Sequence, residues 1–125
     1  MRLLSFAIGL GLLASAAQAQ LQPDTFRAET VGSMHKLCSA DESTPDGKYA
    51  IGFCYGWLEG LGQFYEQLLI DERFDLEPAV CAGKELTREE VRATFVKWIE
   101  ANPESKERPA LDGIFSAMKE TYPCK

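Results

Sequence analysis

A single histidine, no C-x-x-C pair and no apolar run approaching the roughly 20 residues that span a bilayer mark this chain of 125 residues. Each absence removes a class of function. With His35 alone and cysteines spread at positions 38, 54, 81 and 124, the ligand spacing of a zinc site is missing. There is no phosphate-binding glycine loop and no basic patch interleaved with aromatics. The net charge of −6 opposes binding to nucleic acid and to anionic membrane surfaces, and favours a basic partner. Internal repeats, low-complexity tracts and strand-period alternation are absent as well. Catalysis has little to draw on. His35 has no neighbouring carboxylate or nucleophile. Glu59 and Glu66 share one side of a helix, where solvation of an exposed face is the simpler role. The reading is a non-enzymatic chain without metal or cofactor.

What is present begins with an export signal. Arg2, the apolar run 3–13 and the small-residue site Ala17-Gln18-Ala19 form a secretory signal peptide at 1–19, with the mature chain starting near Gln20. A retained membrane anchor is the alternative, disfavoured by the shortness of the run. Residues 20–125 are enough for one domain and carry 12 basic against 19 acidic side chains, a balance of −7. All four cysteines, Cys38, Cys54, Cys81 and Cys124, lie in that part, and an even number in an exported small domain reads as two disulfides.

The apolar spacing predicts an all-α fold, a small bundle of four main helices. The first runs over 26–38, with Asp24 or Thr25 as its cap. The acidic stretch 39–48 is a loop, with Pro45-Asp46-Gly47 as its turn. A central helix begins near Tyr49 and ends at 71 or 72; its aromatic rings and leucines supply most of the core. Pro78 and Gly83 break the connection 71–86, which is long enough for an extra short helix, and Phe74, Leu76 and Val80 are placed to fold it back onto the core. Thr87-Arg88-Glu89-Glu90 is a capping box that opens the third helix, and Asn102-Pro103 ends it. Pro109 stands in the first turn of a fourth helix running through Leu111, Ile114, Phe115 and Met118 to about Thr121. If neighbouring helices are antiparallel, Cys38 meets Cys54 at one end and Cys81 meets Cys124 at the other. That pairing is preferred over Cys38 with Cys81 and Cys54 with Cys124.

Gly52, Gly56 and Gly60 lie four residues apart on the central helix. Each costs about 0.8 to 1 kcal/mol there relative to alanine, so close packing is expected to offset them.

The stretch Cys54-Tyr55-Gly56-Trp57-Leu58-Glu59-Gly60 is similar to the C-x-G-aromatic-x-x-G signature of the Rap/Tai periplasmic immunity proteins of bacterial type VI secretion systems. Cys81, the capped helix from Thr87, Asn102-Pro103-Glu104 and the terminal Tyr122-Pro123-Cys124 extend the likeness over 38–124. One departure is Ala82-Gly83 after Cys81, where relatives often place a proline two residues on. The resemblance implies a helical fold with an overall likeness to the acid chaperone HdeA. It also implies a periplasmic homodimer that binds a secreted peptidoglycan amidase and blocks its cleft with helices and a protruding loop. Two candidate contact surfaces follow: the acidic loop around Asp41, Glu42 and Asp46, and the connection around Arg73, Phe74 and Asp75. In that setting Gly52, Gly56 and Gly60 become a helix-packing signature, facing an intrachain helix or a dimer mate. An acid-stress chaperone and an envelope structural or interaction protein are the competing readings.

Overall fold

Val31–Cys38 form helix α1, an eight-residue element whose Val31, Met34, Leu37 and Cys38 are fully buried. Removing one such aliphatic side chain from water is worth about 1.5 to 3 kcal/mol, so this one stripe supplies a large part of the driving force. The computed structural model describes residues 21–125; the signal-peptide reading of 1–19 falls outside the described residues. A 3-10 turn, Pro23–Arg27, precedes α1, and after it come α2 (Pro45–Ile70), α3 (Arg88–Ala101), a second 3-10 turn (Pro103–Glu107) and α4 (Ala110–Thr121). The fold is all-α with two disulfides, and α1 packs against α2, α3, α4 and both 3-10 turns.

The first helix begins at Val31 rather than at Phe26, and neither Asp24 nor Thr25 caps it. Ala28 turns the chain into the left-handed region at φ 50°. Thr30 is the cap: its hydroxyl accepts from the Ser33 amide at 3.1 Å, while the Thr30 amide donates to the Ser33 hydroxyl at 3.1 Å. The reason lies elsewhere in the sequence. The Val31 amide donates to the Arg108 carbonyl at 2.8 Å and the Ala110 amide to the Glu29 carbonyl at 3.0 Å, an isolated antiparallel bridge between Thr30 and Pro109. That pairing claims backbone groups that a continuous helix would need.

The second helix starts earlier than its periodicity suggests. Thr44 caps it by accepting from the Gly47 amide at 3.0 Å, and Pro45 occupies the first turn, where its missing N–H costs nothing. Pro45-Asp46-Gly47 is therefore helical, and the acidic loop shrinks to 39–44. Gly47 is required because a Cβ there would run into the Asp41 carbonyl.

In α2 the buried residues are Gly47, Ala50, Ile51, Cys54 and Leu58; none of 59–70 is fully buried. The core is thus built mainly by α1, by Phe95, Trp98 and Ile99 of α3, and by Ala110, Ile114, Ala117 and Met118 of α4. Phe53 and Trp57 only flank it, while Phe64 and Leu111 face outward. The capping box at the start of α3 is present, with Glu90 accepting from the Thr87 amide at 2.9 Å and Thr87 accepting from the Glu90 amide at 3.2 Å. Pro109 stands at the cap of α4, one position before its first turn. No extra helix forms in 71–86, where two residues with positive φ, Asp75 at 45° and Gly83 at 71°, interrupt any helical run.

The bridges are Cys38–Cys54, which joins the end of α1 to α2, and Cys81–Cys124, which joins the connection to the chain beyond α4. Arg92 of α3 clamps the first of these junctions. Its Nε donates to the Cys38 carbonyl at 2.7 Å, and its Nη1 donates to Glu42 at 3.0 Å and to the Tyr55 hydroxyl at 2.9 Å. Close helix approach occurs at Gly113 of α4, where an added Cβ would collide with a methyl group of Val31. Gly113→Ala and Gly47→Ala are each expected to lose about 1 to 3 kcal/mol by overpacking, read from urea unfolding midpoints.

Candidate functional site

The acidic loop is a built structure rather than a slack connection. Asp41 accepts from the Ser43 amide at 2.9 Å, and its carbonyl accepts from the Thr44 amide at 3.2 Å and hydroxyl at 3.0 Å. The Ser43 amide, then its hydroxyl, hold the Asp41 carboxyl below its usual range. Glu42 is taken by Arg92, and Asp46 sits in the first turn of α2, where a negative charge complements the helix dipole. All three acids therefore have a local structural role.

At the far end of α2 the connection turns sharply. Arg73 grips Asp71 through Nε at 2.9 Å and Nη2 at 2.6 Å, and the Arg73 amide also donates to that carboxylate at 3.1 Å. The guanidinium, then the amide, hold Asp71 below the ordinary carboxylate range. The Phe74 amide donates to the Asp71 carbonyl at 3.0 Å. This turn exposes an apolar tip: Ile70, Phe74 and Leu76 are 72%, 51% and 47% exposed. Of the residues placed to fold back onto the core, only Val80 does so, joined by Leu86; Phe74 and Leu76 point to solvent. Ile70 was legible in principle, since at 100° per residue it falls opposite Cys54 and Leu58 on the helix.

The two candidate loops are not brought together. A helix of 26 residues at 1.5 Å per residue separates them by roughly 39 Å. Glu59 and Glu66, both exposed, are seven residues apart, about 10.5 Å along the axis, too far to share a proton. Among the described residues no three His, Cys, Asp or Glu side chains gather in a metal-binding group.

Gly52, Gly56 and Gly60 have no described neighbour: among the described residues nothing lies within 4 Å of a Cβ built on any of them. Among the described residues no helix packs on this stripe, which corrects the intrachain half of the packing expectation. One flank carries Tyr49, Phe53, Trp57 and Phe64, and the other carries the exposed Glu59 and Glu66.

A family model described as Rap1a immunity proteins matches residues 30–124, from the cap of α1 through the last cysteine. The chain belongs to the Rap1a immunity protein family. The match takes in both candidate loops, the glycine stripe and both disulfides of this Rap1a-family chain. Among curated proteins and among solved structures, no match is found. No helix of the described residues is long and apolar enough to cross a membrane.

His35 lies in the last turn of α1, with Nε2 buried and without a hydrogen-bond partner among the described residues. Burial lowers its pKa from the ordinary 6.5, Glu100 of α3 opposes that shift, and Lys106 of the second 3-10 turn reinforces it. The unfolded chain therefore binds the proton more readily. The stability contributed by the neutral ring is complete above pH 6.5 and is lost as pH falls below it. In His35→Gln the decline in stability between about pH 7 and pH 5 should be shallower than in the parent, measured by urea unfolding at each pH.

For the glycine stripe, Gly56→Ala and Gly60→Ala should each raise the stability of the monomer by roughly 0.8 to 1 kcal/mol. A loss of stability that deepens with protein concentration would instead mean that a second copy covers the stripe.

Proposed function

We propose that this Rap1a-family chain is a periplasmic immunity protein of a type VI secretion system, which binds a secreted peptidoglycan amidase and blocks its cleft. The observation that carries the reading is the family match over 30–124 together with the apolar turn at the end of α2. Binding energy at protein interfaces concentrates in a few well-packed anchors, and rim charges contribute mainly to association rate and salt dependence. Ile70, Phe74 and Leu76 are exposed apolar groups on a turn stiffened by the Asp71–Arg73 pair. They suit insertion into a concave site. Asp41, Glu42 and Asp46 are engaged in the loop turn, the Arg92 clamp and the first turn of α2, so their part is steering a basic surface rather than anchoring it.

A second copy of the chain is proposed for the face of α2 that carries Gly52, Gly56 and Gly60, flanked by Tyr49 and Phe64. Small residues let backbones approach and the aromatic flank would bury on contact. Sedimentation of the parent and of Gly56→Leu tests this, since a leucine on that stripe should split a dimer that uses it.

A secreted peptidoglycan amidase is the partner to measure. The double variant Phe74→Ala/Leu76→Ala should weaken its binding by about 30-fold or more, the scale of a lost hot spot, and should no longer protect cells that export the amidase. Asp46→Ala should mainly alter the salt dependence of association. Unchanged affinity in the double variant would remove the turn from the interface.

A further inference from the structure

The two disulfides sit in opposite environments. Cys38 and Cys54 are both completely buried between α1 and α2, so a thiolate reaches them only when those helices part. Cys81 and Cys124 both lie at the surface. The outer bridge holds the end of the 71–86 connection, and the other tethers of that segment are few. The Cys81 amide donates to the Tyr122 carbonyl at 2.9 Å, the Ala79 amide donates to the Tyr65 hydroxyl at 2.6 Å, and Lys84 pairs with Glu90. Val80 and Leu86 are its apolar contacts with the core. The segment, through Val80 and Leu86 with Lys84 and Glu85, walls a groove of about 390 Å³ whose other lining includes Leu61 of α2 and Met118 of α4.

We propose that Cys81–Cys124 is a reducible latch: a dithiol reductant opens it while Cys38–Cys54 stays closed, and opening it releases the 71–86 segment that walls the groove. A thiolate of the reductant attacks one sulfur of the bridge, the S–S bond breaks, and the other cysteine leaves as a thiolate and takes up a proton. The second thiol of the same reductant resolves the mixed disulfide. The protein gains two thiols and the reductant ends as a disulfide, so two electrons pass to the bridge. Solvent access decides which bridge exchanges, because attack needs a thiolate in line with an exposed sulfur. The folded body persists, since α1 keeps its covalent tie to α2 and its burial against α3 and α4. The consequence for partner binding rests on the reading of the Phe74 turn as the contact: a released segment must be ordered again on binding, which weakens affinity.

The full chain as purified is treated with dithiothreitol, quenched with iodoacetamide at intervals and read by peptide mass. Cys81 and Cys124 should be alkylated on the order of a hundredfold faster than Cys38 and Cys54, because the inner bridge requires a structural opening. Trypsin should then cut after Arg73 and Lys84 faster than in the oxidised chain, and equally fast in Cys81→Ser/Cys124→Ser. Both bridges opening together, or cleavage no faster once the outer bridge is open, overturns the latch. Neither readout involves the amidase. Selective opening and faster cleavage with unchanged amidase affinity upholds the latch and removes the Phe74 turn from the partner contact.

Discussion

The burial of α1 is the constraint on which the other elements depend. Eight residues are too few for a helix that stands alone in water, so α1 exists only because its apolar stripe is enclosed. Both its ends are fixed by groups distant in sequence: the backbone pairing of Glu29 and Val31 with Arg108 and Ala110 at the start, and Cys38–Cys54 with the Arg92 clamp at the finish. In exchange, α2, α3 and α4 find in α1 the surface they share. A domain of this size buries too little of its own surface to be comfortably stable, which gives a buried crosslink at this junction its importance.

How much of this was legible in the sequence depends on whether the deciding interaction is local. The Thr87–Glu90 capping box is local, and the start of α3 reads directly from four residues. The start of α1 does not, because Phe26, Val31 and Met34 keep helical spacing across a break that the Arg108–Ala110 strand-like pairing imposes. Pro45-Asp46-Gly47 is ambiguous in the same way, since proline followed closely by glycine suits a turn and also a helix entry. The Thr44 hydroxyl and the Asp41 carbonyl lying over Gly47 settle it as an entry.

The candidate surfaces show the same division. Both loops are recognisable from composition, but which is rigid is not. The acidic loop, which composition marks only as a connection, is pinned by Arg92 and by its own turn hydrogen bonds. The apolar side chains of the 71–76 turn, which read as core, are carried outward because α2 continues past the residues that α1 can cover. Glycine spacing likewise reports small residues without saying what meets them. Gly113 of α4, unremarked by spacing, is where backbone closeness is needed, while among the described residues nothing meets Gly52, Gly56 and Gly60.

The outer half of α2 then poses a mechanical question. From Glu59 onward it has no fully buried residue, and Gly60 and Gly62 within it disfavour the helical state, yet it must hold the Phe74 turn at a fixed place. Its lateral support comes from Tyr65, whose ring meets Phe115 edge-on at 5.2 Å and whose hydroxyl receives the Ala79 amide, and from the segment that Cys81–Cys124 fastens beneath it. The position of the turn is therefore set less by the helix that carries it than by the strap that returns from it. A crosslink at the surface, which ties Cys81, seven residues past Phe74, to Cys124 beyond α4, governs how well that turn is preorganised, which is why the exposed bridge and the exposed apolar tip belong to one device.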